Sequence, residues 1–380
     1  MSNRKNNRPI RVLHVIGGMN RAGAESMIMN IFRNIDHSRF QFDFLVYSED
    51  KQDFENEIEY LGGRVIHTDL FKTKSPFRMV NTIYRVIRKN GPYDVIHCAT
   101  LFNSAYPLIA SLPFKSMRRI THSHNTMNVL SSSVFMKIYE KCAETVIRCL
   151  TDIPIACGKE AGDFLFGKKI FEKSGHVILN SVDIDRFAMP DKVKAAKLSE
   201  EYNLKGYKII TSVARFQQVK NHAFMLKIAS CLKQENVKFK MLLVGTGELH
   251  STIKNEIHER ELDEEVILMG LRTDIPEILS VSDVFIMPSF FEGNPVSLIE
   301  AQIAGCHCVI SDTITETIDI GLGLIKRVGL DCDSSVWAHK IEGISRTDIA
   351  YSDIARAVKI SGYDLDETTR LMCRLYEYGK

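Results

Sequence analysis

Tryptophan occurs once and proline only 10 times in 380 residues, and nowhere does an apolar stretch approach the length that spans a bilayer. The first apolar run, residues 12–16, is also far too short for the core of a secretory signal. A soluble chain made in the cytoplasm is expected. The nine cysteines are odd in number and scattered, with no C-x-x-C pair, which excludes a disulfide scaffold and leaves a structural zinc site without its usual ligand spacing. They read as reduced thiols, most of them in the core. Low-complexity segments and short-period repeats are absent, so solenoids are excluded.

What is present is ordinary globular composition, 45% hydrophobic and 25% charged, over more residues than one core usually absorbs. Two domains follow. Net charge is only +2, but residues 1–190 carry 26 Lys and Arg against 19 Asp and Glu, leaving 23 against 28 for the rest. A basic half suits an anionic membrane surface or nucleic acid. No aromatic-basic array accompanies it, so no nucleic-acid partner is expected.

Short β-branched runs recur at residues 11–16, 42–47, 64–67, 94–98 and 119–122, each followed by a helix-length amphipathic stretch. The rhythm is β-α-β. It continues at 152–157 and 176–180, breaks over 183–207, and resumes at 208–214, 240–245, 266–270, 284–288, 307–311 and, more weakly, 323–326. The fold class is therefore α/β, two Rossmann-like doubly wound domains facing across a cleft, with 1–183 as the first and 184–350 as the second.

The first strand runs into Gly17-Gly18-Met19-Asn20-Arg21-Ala22-Gly23, a glycine-rich turn before a helix where backbone amides can receive an anion. A dinucleotide fingerprint fails, because the glycines are wrongly spaced and the second strand ends in Val46-Tyr47 rather than in an acid. A Walker A loop fails too, since Ala24 and Glu25 follow Gly23. In the second half, strand 208–214 leads into a loop bearing Arg215 and Lys220. Arg offers a planar fork and Lys a point charge, and together they suit a diphosphate whose charge grows as it departs.

Next comes Phe290-Phe291-Glu292-Gly293-Asn294-Pro295-Val296. Gly293 permits close approach of backbone to ligand and Pro295 suits a first helical turn, so the amides of Gly293, Asn294 and Val296 should face a ligand. Glu300 follows within the helix among Ala301, Ile303 and Ala304. Its carboxylate can accept from the cis-diol of a ribose.

With these residues the sequence resembles glycosyltransferase family 4, a retaining family of GT-B fold, and within it the bacterial capsular and exopolysaccharide enzymes. Glu292 and Glu300 match the family's E-x7-E motif. Gly17-Gly18 with Ala22-Gly23-Ala24-Glu25 is similar to its N-terminal loop, and residues 121–126 to its cleft histidine segment. Asn180-Ser181-Val182-Asp183 is similar to its N-G-[VI]-D turn, with Ser181 in place of Gly. Residues 213–221, 243–248 and 269–272 extend the likeness nearly end to end.

The resemblance implies an acceptor-binding first domain, a nucleotide-sugar-binding second domain, and a C-terminal segment, 351–380, that packs back on the first. It implies that Arg215 and Lys220 hold the diphosphate, Glu300 the ribose, and Glu292 with the amides of Gly293, Asn294 and Val296 the donor sugar, with Pro295 lining the donor site among them. Gly270, Leu271 and Arg272 would hold the base, while Gly18, Gly23 and Gly245 would line the donor site. The cleft histidine would be His124, with His122, one pleat away, as the second candidate. His124, Glu292, Arg215 and Lys220 form the expected catalytic set.

The activity implied is metal-independent transfer of a hexosyl or N-acetylhexosaminyl unit from a UDP-sugar, with retention, to a lipid-linked or free glycan in cell-surface polysaccharide synthesis. No cofactor is expected, and the Asp183/Asp185, Asp331/Asp333 and Asp364/Asp366 pairs read as turn and cap residues. Cations and helix N-termini would stabilise the leaving group. Two other readings stay open: a sugar-nucleotide epimerase of the same architecture, and a non-catalytic nucleotide-sugar-binding subunit. The basic half points to the inner face of the membrane, with residues 115–119 as the expected contact.

Overall fold

The structure is a computed structural model that describes residues 8–20, 23–73, 75–124 and 134–379. All thirteen expected strands form, in two parallel sheets. The first sheet contains β1 (Ile10–Ile16), β2 (Phe40–Val46), β3 (Arg64–His67), β4 (Val95–Cys98), β5 (Arg118–Ser123), β6 (Ile153–Ala156) and β7 (His176–Val177). The second contains β8 (Lys208–Val213), β9 (Phe239–Val244), β10 (Val266–Gly270), β11 (Val284–Met287), β12 (His307–Ser311) and β13 (Ile325–Val328). The expectation at 323–326 forms two residues later, 42–47 starts two residues earlier, and 176–180 shortens to His176–Val177.

Helices cover both faces of each sheet, which is why the strands read as continuous apolar runs. Val12, Ile16, Phe42 and Phe44 are buried on one side of the first sheet, and Leu13, Val15, Leu45 and Ile96 on the other. Asp43 breaks the pattern in β2. Its carboxylate accepts from Arg64, Arg11 and the Tyr93 hydroxyl, the last at 2.7 Å. Burial opposes its ionisation, but these partners outweigh it and hold the carboxyl below its ordinary range.

Strand order is β3-β2-β1-β4-β5-β6-β7 in the first sheet and β10-β9-β8-β11-β12-β13 in the second. In each, the chain reverses its direction of travel at the centre, between β1 and β4 and between β8 and β11. Loops leaving the carboxyl ends of those strand pairs part there, and ligands of open α/β sheets bind at such points.

Two compact units result, 1–181 with 365–380, and 182–364. The expected segment 351–380 is not one piece. Helix Tyr351–Ile360 stays with the second unit, where the Tyr351 hydroxyl donates to Asp185. Helix Leu365–Tyr378 belongs to the first, burying Met372, Leu375 and Tyr376 completely. Arg118 clamps its end by donating to the carbonyls of Tyr376 and Glu377.

The cysteines also depart from expectation. All nine are free thiols, but only Cys98, Cys157, Cys306 and Cys308 are buried, whereas Cys142 and Cys149 are exposed on one helix. The basic segment 115–119 is largely committed to structure, since Arg119 pairs with Asp152 while Arg118 holds the C-terminal helix. Among the described residues no helix is long and apolar enough to cross a membrane.

Candidate functional site

At the switch point of the second sheet, β8 ends at Val213 and the chain turns past Ala214 to Arg215. The loop after β9 lies directly against this turn. A Cβ on Gly245, whose φ is +137°, would stand 2.1 Å from the Ala214 carbonyl, and one on Gly247 would stand 2.5 Å from that of Phe216. Gly245 thus serves backbone packing between strand ends, and the ladder Phe216 N to Thr246 O (3.0 Å) and Leu249 N to Phe216 O (3.1 Å) closes the contact. Phe216 is fully buried, which turns the neighbouring Arg215 outward, where it is exposed.

Lys220 ends the single turn Gln218–Lys220, and Asn221 follows in the left-handed conformation, φ 56°. The Asn221 side-chain amide donates to the Pro288 carbonyl (3.1 Å), and the Phe290 amide donates to Val219 O (2.9 Å). These bonds lace the loop after β8 to the loop after β11. The lacing brings Lys220 Nζ to 2.6 Å from Glu292 Oε1 with both groups mostly sheltered from solvent. Two of the four expected catalytic side chains therefore meet as an ion pair.

Helix Val296–Ile303 begins just after Pro295. Gly293 has open space where a Cβ would stand. Asn294 is held from behind, the buried Tyr363 donating to its Oδ1 at 3.1 Å, which leaves the Asn294 amide nitrogen buried with no partner. Glu300 lies on the helix, and burial pushes its carboxyl up to about 7 against the pull of Arg186. Arg186, on a short helix capped by Asp183, also donates to Thr273 O (3.1 Å).

Gly270 takes φ +66° at the end of β10, and its carbonyl accepts from Gly245 N (2.9 Å). Leu271 beyond it is 61% exposed. The Arg272 guanidinium is held by both oxygens of Asp274 at 2.8 and 2.6 Å, so that side chain is already engaged within the fold. Asp183 and Asp333 cap helices, as expected of them.

The first unit presents a different set. The loop after β1 is pinned by Gln52, whose Oε1 accepts from Met19 N at 2.9 Å and would lie 2.7 Å from a Cβ on Gly18. A Cβ on Gly18 would therefore force the Gln52 side chain to shift and loosen its hold on Met19 N. Gly23, which opens helix Gly23–Asn34, has empty space around it, while Arg21 and Ala22 lie outside the described residues.

His122 is 1% exposed, so His124 is the more accessible of the two candidates; residues 125 and 126 of that motif lie outside the described residues. The rings of His124 and His122 stack at 4.0 Å, His122 and His97 at 5.5 Å, and His97 lies 4.8 Å from His14. Register explains the column, since His14 of β1 is paired with His97 of β4. The Tyr376 hydroxyl lies 2.9 Å from His97 Nδ1. Burial holds all four imidazoles neutral, with His97 pushed down to about 3 and His124 to about 4.

Sequence reasoning missed Arg186, Tyr363, Gln52 and the His14–His97–Tyr376 group. Arg186 stood three residues past the motif ending at Asp183, which was the one available signal.

Residues 195–320 match the family profile described as glycosyl transferases group 1. The chain is 37% identical over 375 residues to a putative glycosyltransferase, EpsF, of Bacillus subtilis, covering 96% of each. It is 27% identical to the capsular polysaccharide biosynthesis glycosyltransferase CapH of Staphylococcus aureus, covering 82% of this chain and 83% of that one. Over 143 residues, 36% of each chain, it is 34% identical to the Escherichia coli UDP-Gal:alpha-D-GlcNAc-diphosphoundecaprenol alpha-1,3-galactosyltransferase. The fold is shared with the Anabaena protein HepE solved with UDP and glucose, at a TM-score of 0.74, 17% identity, and coverage of 97% of this chain and 100% of that one.

Proposed function

The chain belongs to the GT-B glycosyltransferases that carry a group 1 domain, and from that premise we propose that it is a retaining, metal-independent enzyme of family 4. It transfers a hexosyl or N-acetylhexosaminyl unit from a UDP-sugar to a lipid-linked glycan during synthesis of a cell-surface polysaccharide. The observation that carries this reading is the Lys220–Glu292 pair, held by two laced loops at the switch point of the second sheet. The capsular and diphosphoundecaprenol relatives support the polysaccharide and the lipid-linked acceptor.

In the donor-free protein Glu292 neutralises Lys220. A diphosphate entering beside Arg215 offers Lys220 a more highly charged partner and frees Glu292 to accept from hydroxyls of the sugar. Glu300 takes the ribose diol, and the amides of Gly293, Asn294 and Val296 meet sugar or phosphate oxygens at the start of helix Val296–Ile303. As the anomeric carbon–oxygen bond breaks, negative charge grows on the diphosphate. Arg215 and Lys220 stabilise that charge more in the transition state than in the ground state. The acceptor oxygen bonds to the anomeric carbon on the face the diphosphate leaves, and its proton passes to a departing phosphate oxygen. His124, neutral, orients the donor sugar.

The test is slow nucleotide release from a panel of UDP-, GDP- and ADP-sugars with EDTA present. Release from one UDP-sugar at an undiminished rate is expected. If no nucleotide sugar binds, the reading falls; if a sugar nucleotide is converted to its epimer without acceptor, an epimerase replaces it.

A further inference from the structure

His67 ends β3, paired with Val46 at the end of β2 and beside the loop that leaves β2. Its ring spans two acceptors. Nδ1 lies 3.0 Å from the Ser48 carbonyl oxygen, and Nε2 lies 2.9 Å from Oε1 of Glu55, which opens helix Glu55–Tyr60. Neither a carbonyl nor a carboxylate donates, and a neutral imidazole has a single N–H to give. Both nitrogens must carry protons, and the proton shared with Glu55 stays on the ring because imidazole is the stronger base. The ring is therefore an imidazolium. The His67 side chain is 28% exposed and that of Glu55 15%, so the pair is sheltered yet within reach of solvent protons. The bond to Glu55 raises the imidazole above its ordinary 6.5, against the pull of burial. Burial opposes ionisation of Glu55, but His67 and the Gln52 amide outweigh it and hold the carboxyl below its ordinary range.

With its other oxygen Glu55 holds the backbone of Gln52, whose amide donates to Oε2 at 3.0 Å. Gln52 in turn fixes the loop after β1, since its Oε1 accepts from Met19 N and stands where a Cβ on Gly18 would fall. Its side-chain nitrogen donates to the Asp50 carbonyl, which sets the orientation of the amide. Further bonds join the two loops: Tyr47 N to Gly17 O (3.1 Å), Phe54 N to Met19 O (3.0 Å) and Asp53 N to Asn20 Oδ1 (3.2 Å). The ends of β1, β2 and β3 are thus linked in series. His67 is the outermost member, and its charge is the one that changes near neutral pH. The charged groups around it are Glu55 and Glu59 from helix Glu55–Tyr60, with Glu49, Asp50 and Lys51 from the loop after β2. Lys72, from the turn that follows β3, is paired with Glu49. Carboxylates predominate, which favours the imidazolium.

We propose that His67 is a positioning residue for the Gly18 loop: as an imidazolium it clamps Glu55, and through Glu55 and Gln52 it fixes the backbone of Gly18 and Met19. A neutral ring can satisfy one partner only. Either a lone pair on Nδ1 then faces the Ser48 carbonyl or one on Nε2 faces the Glu55 carboxylate, and both oppositions loosen the loop after β2. The sign follows from the raised imidazole. The clamp is fully present below 6.5 and is lost as pH rises through the higher value of the folded chain. With the Gly18 loop at the donor site, slackening it lowers turnover on the alkaline side without touching nucleotide contacts of the second unit. That purpose rests on the function proposed above; the clamp itself does not.

The experiment follows the full-length protein from about pH 6 to about 9. Imidazole nitrogen NMR, with His67 assigned by the signal lost in His67→Gln, should show both of its nitrogens protonated at neutral pH and a titration above 6.5. Amide-exchange protection of Met19 and Phe54, corrected for the intrinsic effect of pH, should fall on the order of tenfold through that titration. In His67→Gln it should be reduced and no longer follow pH. The kcat for a UDP-sugar should fall about fivefold through the same titration in wild type and not in His67→Gln. Gln52→Ala should lose as much, and adding His67→Gln to it should cost nothing further. UDP affinity at any one pH should match between wild type and His67→Gln, which also shows that the variant folds. The proposal is overturned if His67 carries a single proton at neutral pH, or if exchange at Met19 ignores both pH and His67→Gln. It is equally overturned if a UDP-sugar is turned over with a kcat blind to His67. If ring and exchange behave as expected but no UDP-sugar is bound, the clamp stands and the function proposed above falls.

Discussion

At the centre of the second sheet two loops bonded to each other hold Lys220 against Glu292, with Arg215 exposed nearby in sequence and Glu300 on the following helix. At the centre of the first sheet stand imidazole rings, stacked and uncharged, beside a loop pinned by the neutral side chain of Gln52. The two sheets share a winding, so the contrast is not topological. It comes from what the strand ends carry. One switch point carries an ion pair and an exposed cation, and the other carries uncharged rings. On the function proposed, a donor diphosphate belongs with the first kind of site, and a neutral sugar or glycan hydroxyl with the second.

The comparison can be broken most sharply at Lys220. In the proposed mechanism Lys220→Ala removes the cation that meets the growing charge, and it leaves Glu292 without the partner it has at 2.6 Å, so kcat should fall about a hundredfold or more while donor KM changes less. Equal loss in KM alone would mean the lysine only binds.

Glu300 comes next. Glu300→Ala should raise donor KM about tenfold, the worth of a charge-assisted contact to the ribose diol. Its pH behaviour carries a sign. Burial raises the carboxyl from 4.5 to about 7, so between those values the native chain holds a proton that the unfolded chain has released, and stability falls as pH rises through that window. Donor capture requires the carboxylate and should run the other way, strengthening as pH passes 7. Glu300→Gln should flatten both profiles, measured by thermal melts and by donor titration from pH 5.5 to about 8.5.

The smallest expected effect is at Tyr363. Tyr363→Phe frees Asn294 Oδ1 without disturbing the ring, and should weaken binding of a UDP-sugar about threefold while leaving UDP itself unaffected. A change shared equally by UDP and UDP-sugar would make the tyrosine a general support of the loop.

The strands were legible because sheets covered on both faces need unbroken apolar runs, which stand out between helix-length polar stretches. That Lys220 and Glu292 matter together was legible for a related reason: charged residues in loops right after strands have few structural duties to explain them, whereas Glu300 stood out as a lone charge among apolar helix neighbours. Arg186 and Tyr363 were not. Each acts through a contact more than 60 residues away in the chain, Arg186 on Thr273 and Tyr363 on Asn294, and nothing local distinguishes such a residue from an ordinary one. The histidines were visible singly, but their column depends on the pairing of β1 with β4 and β4 with β5. The final helix pair misled for the opposite reason, since two adjacent amphipathic helices look like one element until packing assigns them to different units.

The most direct test of the contrast between the two switch points is calorimetric titration of UDP, in EDTA, into wild type, Lys220→Ala, Glu300→Ala and His124→Ala. The account predicts saturable binding that weakens in the Lys220 and Glu300 variants and is unchanged in the His124 variant. Binding that survives loss of Lys220 and Glu300 but disappears with His124 would place the nucleotide in the first unit and contradict it.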